Sequence, residues 1–184
     1  MKCLTILPVV AALCWPVTAF AQQPQQAAPA TDPLLSPQAN AAFLAANAKK
    51  AGVIVKPDGL QIKIIQSGYG RRPAATDTVE VYYTGSLING SVFDGTSPGL
   101  PASFKVSQVI PGWIEALQLM REGDHWQLVI PSTIAYGSRG AGKAIPPDQT
   151  LVFDMTLIST TPAPRRGEPG YIPDPNDPED REKQ

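Results

Sequence analysis

The chain has 184 residues, 43% of them hydrophobic and 17% charged, and its formal net charge at pH 7 is −1. A chain of this length suits one domain with flanking segments, and 15 basic against 16 acidic residues leave no cationic excess of the kind that binds nucleic acid. Both cysteines, Cys3 and Cys14, lie near the N-terminus, so the rest of the chain must fold without disulfides.

Residues 1–21 have the composition of a secretory signal peptide. A basic start precedes the apolar run LTILPVVAALCWPV, and an A-x-A cleavage site ends at Ala21. The run is short for a membrane span, and Pro8 and Pro16 interrupt it. We therefore expect cleavage after Ala21, no membrane span in the mature chain, and a periplasmic or secreted location.

Two flanking segments are predicted to be loosely organised. Residues 22–57 begin with a stretch rich in Gln, Ala and Pro that can bury little surface. This segment also contains a short predicted helix, with Ser36 as its N-cap, Pro37 at its first position and Gly52 at its end. Residues 161–184 are rich in proline and mixed charges, which predicts a flexible, solvated tail.

Between these segments, residues 58–160 show the period-two pattern of half-buried antiparallel strands. The alternating apolar residues are Ile62 and Ile64; Val79, Val81 and Tyr83; Leu128 and Ile130; and Leu151, Phe153, Met155 and Leu157. Asn89-Gly90 is expected to supply the two positive-φ residues of a tight hairpin. The pattern predicts a sheet of five or six strands.

One helix is predicted within this domain, at residues 112–121. Pro111 lacks an N–H and has a fixed φ, so a helix can begin only near it. Trp113, Leu117 and Met120 then recur on one helical face. A single helix covers only one face of a sheet, so the sheet should curl around it. The predicted fold class is α+β, a curled antiparallel sheet of five or six strands wrapped around one short helix.

The usual catalytic groups are missing from the domain. His125 is the sole histidine, so neither a Ser–His–Asp triad nor a His/Cys metal site can be assembled, and we expect no metal or cofactor. Residues 137–144, GSRGAGKA, are close to a phosphate-binding loop. However, Ala144 stands where the magnesium-binding hydroxyl belongs, and Pro146 and Pro147 prevent the helix that must follow.

A reaction that breaks no bond is still open to such a chain. Rotation about an X–Pro amide has a barrier of about 18–20 kcal/mol. The planar amide is more dipolar than its twisted transition state, so a dry apolar pocket disfavours the ground state. Hydrogen bonds that fit only the twisted carbonyl would add to this effect. The aromatic and branched residues of the domain are suitable material for such a pocket.

Six short motifs follow one another over residues 58–159. They are Y-T-G with Tyr83, F-D with Phe93 and Asp94, V-I-x-G-W with Trp113, A-Y-G with Tyr136, I-P-P with Ile145, and L-V-F-D with Phe153. Their order and spacing resemble those of the FKBP family of peptidyl-prolyl cis–trans isomerases. The resemblance implies a cofactor-free prolyl isomerase that acts on proline-containing polypeptides of the export pathway, with macrolides as inhibitors.

The resemblance also implies roles for individual residues. Trp113 would be the floor on which a substrate proline sits, the Tyr136 hydroxyl would donate to a carbonyl beside the proline amide, and Asp94 would orient polar groups at the rim. Phe93 completes the implied catalytic set, and the implied substrate-binding residues are Tyr83, Val109, Ile110, Ile145, Phe153 and Phe104. Among these, the Ile110 N–H would hold a substrate carbonyl, and Ile145 would cap the pocket from a flap loop.

Two positions depart from the family pattern. The stretch SFKVSQ is shorter than its counterpart in small cytosolic members, so Ala102 is an alternative to Phe104 as a wall residue. Ala144 stands where many members have a larger aliphatic residue before I-P-P, which would widen the pocket or lower its affinity.

Other interpretations stay open at this point. Phe93, Phe153 and Trp113 suit an ordinary core, Asp94 before Gly95 suits a turn, and Tyr136 suits a loop brace. The alternative function is a proline-peptide-binding module or holdase chaperone with little catalysis.

The segment before the domain indicates a subtype. AKKAGVIVKPDGLQIKII is similar to the stretch that precedes the domain in exported bacterial members with a helical dimerisation arm. Only about thirty residues separate it from the predicted signal peptide, so the arm is expected to be absent and the protein to be a monomer.

Overall fold

The computed structural model describes residues 32–164 and 168–170. The predicted signal peptide and most of the predicted tail lie outside the described residues. Within the described part, besides four short 3-10 helices, the α-helices and strands are α1 (Pro37–Asn47), β1 (Val53–Val55), β2 (Gln61–Gln66), β3 (Thr78–Leu87), β4 (Val92–Gly95), β5 (Ala102–Lys105), α2 (Pro111–Leu119), β6 (His125–Ile130) and β7 (Leu151–Thr161). None of these helices is long and apolar enough to cross a membrane.

The strands form one antiparallel sheet. Its order is β1-β2-β6-β7-β3-β4, and β5 also pairs with β3. The sequence predicts five or six strands, whereas the described residues contain seven. The additional strand is β1, in which Val53 pairs with Lys63 and Val55 with Gln61 of β2. Ordered structure therefore begins well before residue 58.

The core lies between α2 and the sheet. Helix α2 starts at Pro111, contributes Trp113 and Leu117 to the core, and ends at Leu119 because Met120 already has extended backbone. The strand residues that meet it are almost completely buried: Ile62, Val79, Val81, Leu128, Ile130, Leu151, Phe153, Met155 and Leu157. The predicted α+β fold class, a curled antiparallel sheet around a short helix, is confirmed.

Two details of the strands differ from expectation. In the β3–β4 hairpin only Gly90 has a positive φ (+87°), so the expectation of two positive-φ residues is wrong. The Gly90 N–H donates to the Leu87 carbonyl, and Leu87 donates to Ser91. The loop thus has three residues, with glycine alone in the left-handed region. Ile64 is 43% exposed, although it alternates with the buried Ile62.

Helix α1 begins as predicted and ends earlier. The Ser36 Oγ accepts a hydrogen bond from the Ala39 N–H at 3.2 Å, and Pro37 occupies the first position. The helix ends at Asn47 rather than at Gly52, which lies in the turn that leads into β1. Its buried residues are Asn40 and Asn47, so α1 packs on the domain through amides rather than through an apolar stripe.

Candidate active site

A cavity of about 360 Å³ opens beside the N-terminus of α2. The residues that line it are Tyr83, Phe93, Asp94, Phe104, Gln108, Val109, Ile110, Trp113, Tyr136 and Phe153. Nine of the ten site residues expected from the sequence are among them, and they come from four strands, one helix and two loops. The fold therefore brings together positions that are up to 70 residues apart in the chain.

The local sequence explains how Trp113 reaches this cavity. Ile110 is the N-cap of α2 and its carbonyl accepts the Trp113 N–H at 2.9 Å, which fixes the tryptophan in the first turn. A Cβ on Gly112 would lie only 2.5 Å from Cγ2 of Ile130, so glycine lets the helix approach β6 closely. Trp113 is consequently 4% exposed, with its ring at the bottom of the cavity.

Edge-to-face ring contacts hold the floor and the walls together. The Trp113 ring lies 5.0 Å from Tyr83, 5.1 Å from Phe153 and 5.5 Å from Phe104, at interplanar angles of 86°, 79° and 87°. Phe93 meets Phe153 at 5.7 Å and 88°. Each such pair adds about 0.5–1.5 kcal/mol beyond simple burial, so the cavity is preformed and rigid.

Gly85 of the Y-T-G motif makes room for two of these rings. A Cβ there would lie 2.7 Å from Phe93 and 2.8 Å from Phe153. Any larger residue would therefore require the backbone or at least one of these rings to shift. The glycine of the motif is therefore part of the site, although it does not line the cavity.

Tyr83 and Asp94 form the polar edge of the aromatic wall. The Tyr83 hydroxyl donates to Asp94 Oδ2 at 2.7 Å, and Asp94 Oδ1 accepts the Gly95 N–H at 2.9 Å. Burial of the Tyr83 ring, followed by this hydrogen bond, raises the pKa of Tyr83 far above its ordinary value. Tyr83 thus remains a protonated donor, and the rim carboxylate is held in one orientation.

The donors at the cavity that lack a partner among the described residues include a hydroxyl and a backbone N–H. Tyr136 is 41% exposed, and its hydroxyl has no hydrogen-bond partner within residues 32–164. The Ile110 N–H likewise has no acceptor in the described chain, while the Ile110 carbonyl accepts from Trp113 and Ile114. An apolar cavity with two free donors can bind a polypeptide segment through its carbonyls.

Two residues depart from what the sequence indicated, and at a third position one of two alternatives lines the cavity. Ile145 does not line the cavity, contrary to the expected cap: it pairs with Ala141 through two backbone hydrogen bonds of 2.9 and 3.1 Å, and its side chain is buried in the core at 5% exposure. Phe104, rather than Ala102, is the wall residue contributed by β5. Gln108 also lines the cavity, although it is not among the residues expected from the sequence. Its position directly before V-I-P-G-W was the one signal in the sequence that could have indicated it.

Among the described residues, metal ligands and histidine do not gather at this place. No group of three or more His, Cys, Asp or Glu side chains that could hold a metal occurs among them. His125 pairs with Asp154 at 2.7 Å and does not line the cavity.

Comparison with known proteins gives consistent matches. The family model described as FKBP-type peptidyl-prolyl cis-trans isomerase matches residues 70–158. The "Outer membrane protein MIP" of Legionella longbeachae is 54% identical over 123 residues, which are 66% of this chain and 53% of that protein. The "FKBP-type 22 kDa peptidyl-prolyl cis-trans isomerase" of Escherichia coli (strain K12) is 55% identical over 117 residues, 63% of this chain and 57% of that protein.

A solved structure extends the similarity to three dimensions. The peptidyl-prolyl cis-trans isomerase of Pseudomonas syringae pv. tomato is 41% identical, with a TM-score of 0.64, over 68% of this chain and 92% of that chain. The present chain spans little more than half the length of the two curated relatives. The range matched by the family model includes α2 and every residue that lines the cavity.

Proposed function

The chain belongs to the FKBP-type peptidyl-prolyl cis–trans isomerase family, and from this premise we propose that it accelerates rotation about X–Pro amides in other polypeptides. One observation carries the proposal: residues of five of the six motifs meet around a single aromatic cavity. The cavity contains no nucleophile, no histidine and no paired carboxylates, and rotation about an amide requires none of them.

In this proposal the cavity acts by solvation and shape. A proline ring sits on Trp113, between Tyr83, Phe104 and Phe153, and displaces water from an apolar surface. Because the planar amide carries the larger dipole, removing water from it raises the ground state relative to the twisted state. The edge-to-face ring contacts keep this environment in place before the substrate arrives.

The free donors would add selectivity for the twisted state. The Tyr136 hydroxyl is proposed to donate to the carbonyl beside the rotating bond, and the Ile110 N–H to a second carbonyl along the peptide. Asp94 is proposed to orient polar groups at the rim, where it already accepts the Tyr83 hydroxyl. Phe93 closes the wall beside Phe153.

The biological setting is proposed from the sequence. With residues 1–21 as a signal peptide, the proposed substrates are exported proteins whose folding is limited by slow proline isomerisation. The name of the Legionella longbeachae relative, an outer membrane protein, supports a location in the cell envelope. We also propose that the chain acts as a monomer and that macrolides bind in the same cavity.

The test is NMR exchange of short X–Pro peptides with the purified chain from residue 22 onward. Acceleration by the wild type is expected. Tyr136→Phe should lower kcat/KM about two- to twelvefold, which corresponds to one net hydrogen bond of ~0.5–1.5 kcal/mol, and Phe93→Ala should lower it as well. Tyr69→Phe is the matched control, because Tyr69 is 94% exposed and outside the cavity.

Two results would contradict the isomerase proposal. Binding of the peptides without faster exchange would identify a proline-peptide-binding module or holdase. Acceleration that survives Tyr136→Phe and Phe93→Ala unchanged would place the activity outside this cavity.

A further inference from the structure

Helix α1 is attached to the domain by two asparagines. Asn40 and Asn47 are 5% and 4% exposed and lie seven residues, or two turns, apart on one face. A buried amide is costly unless it is hydrogen-bonded, so the partners of these side chains decide what the helix holds. Asn47 donates to Gln61 of β2 at 2.9 Å. Asn40 bonds elsewhere.

Asn40 holds the segment just before β7. Its Oδ1 accepts the Thr150 N–H at 2.7 Å, and its Nδ2 donates to Gln149 Oε1 at 3.1 Å. Gln149 is itself 5% exposed and donates through Nε2 to the carbonyls of Leu35 and Pro147, at 3.1 and 2.9 Å. The two amides form a fully hydrogen-bonded buried network, which is rigid for that reason.

The segment held by this network is the base of the loop that starts at Tyr136. The Asp148 N–H donates to the carbonyl of Gly137, the neighbour of Tyr136, at 2.9 Å. Asp148 has φ +60°, the single positive φ outside glycine in the described chain. A non-glycine residue keeps this conformation when its surroundings hold it, and here residues 149 and 150 are fixed by Asn40.

A second contact joins the same N-terminal segment to another wall of the cavity. Asp32 Oδ2 accepts from Asn89 Nδ2 at 2.8 Å. Asn89 lies in the turn between β3 and β4, and β4 carries Phe93 and Asp94. The segment from Asp32 to Asn40 thus contacts both the base of the Tyr136 loop and the turn that leads into β4. It contributes no residue to the cavity itself.

We propose that Asn40 is a positioning residue for catalysis. By holding Gln149 and Thr150, it fixes the base of the loop and thereby the place of the Tyr136 hydroxyl. This inference rests on the proposed isomerase function. Its physical basis is preorganisation: a donor contributes to catalysis in proportion to the time it spends in the productive geometry.

The experiment compares Asn40→Ala with Asn47→Ala. Both variants remove an equally buried amide from the same face of α1, but only the first releases the loop. Asn40→Ala should lower kcat/KM for peptide exchange by between about twofold and thirtyfold, the range found for residues that act through others. Asn47→Ala should leave kcat/KM at the wild-type value after correction for the folded fraction.

A double substitution separates positioning from general destabilisation. In a Tyr136→Phe background, Asn40→Ala should lower kcat/KM no further, because the hydroxyl that it positions is gone. An equal loss in both backgrounds, an equal loss with Asn47→Ala, or full activity of folded Asn40→Ala would each overturn the inference.

A readout besides activity keeps the inference separate from the proposed function. Amide hydrogen exchange at Asp148 should be faster in Asn40→Ala than in Asn47→Ala, whether or not the protein is an isomerase. Unchanged exchange would overturn the inference, and a wild type without catalysis would overturn the proposed function. If Asn40→Ala does not fold, the near-isosteric Gln149→Glu variant takes its place, because it loses the donor to Leu35 and Pro147. Amide exchange at Asp148 should then be faster in Gln149→Glu than in the wild type. Unchanged exchange there would again overturn the inference.

Discussion

A single methyl group at Gly112 tests how the floor of the cavity is placed. A Cβ there would lie 2.5 Å from Cγ2 and 3.2 Å from Cδ1 of Ile130, whereas carbon atoms in contact are about 3.5–4.0 Å apart. Ile130 is completely buried in β6 and cannot move aside. Gly112→Ala should therefore push the first turn of α2 from the sheet by about 1 Å, and Trp113 should move with it.

The cost of this substitution follows from two opposing contributions. Overpacking of a dense core destabilises by about 1–3 kcal/mol, and the gain in helix propensity from glycine to alanine offsets up to ~1 kcal/mol. A net loss of about 1–2 kcal/mol leaves a domain of ordinary stability folded. Catalysis should suffer more, because a displacement of this size can cost about a hundredfold. We expect kcat/KM to fall at least tenfold.

Urea unfolding and peptide exchange by NMR measure the two effects. Ile130→Ala removes both clashing atoms and alone should cost about 2–5 kcal/mol. Combined with Gly112→Ala, it should destabilise less than the sum of the single variants, because the new methyl group enters the vacated space. Ile130→Val keeps Cγ2 and should not compensate. Wild-type kcat/KM in Gly112→Ala, or strict additivity with Ile130→Ala, would refute this explanation of the Pro-Gly-Trp sequence.

Two further substitutions test the cavity wall. Tyr83 has a raised pKa, caused first by burial and then by its hydrogen bond to Asp94. The folded protein therefore keeps the hydroxyl proton to higher pH than the unfolded chain. The contribution of this group to the free energy of unfolding is complete below about pH 10 and declines above it. In Tyr83→Phe the urea midpoint should fall less steeply above pH 10, and equal slopes would argue against the shift. Phe104→Ala removes a ring in edge contact with Trp113, so KM in the exchange assay should rise about fivefold, for ~1 kcal/mol of lost ring contact, with little change in kcat. An unchanged KM would remove Phe104 from the substrate wall.

The elements with a strong periodic pattern were predictable from the sequence. Period-two alternation located β3, β6 and β7, and Pro111 with the spacing of Trp113 and Leu117 located α2 to within two residues. The motif order then led to nine of the ten residues that line the cavity. These predictions rest on features that each segment carries by itself.

The features that the sequence did not reveal depend on distant partners. β1 has three residues, too few for a period to be visible, and becomes a strand by pairing with β2. Ile145 belongs to the loop that starts at Tyr136, where its backbone pairs with Ala141 and its side chain is buried in the core. Asn40 sits in an alanine-rich helix where it would normally count as unfavourable, and its role depends on partners about 110 residues away.

The distribution of polar groups in the domain agrees with the proposed reaction. Most residues that line the cavity are aromatic or aliphatic, and its polar lining groups, such as Asp94 and the Tyr136 hydroxyl, are few. Its selectivity for a twisted amide must then come from where those few groups are held. Polar contacts hold these groups: Tyr83 is fixed by Asp94 at the rim, and the Tyr136 loop is proposed to be fixed by Asn40 from outside the cavity. Substitutions that leave the aromatic lining intact should therefore still alter catalysis, and substitution of Asn40 tests this most directly.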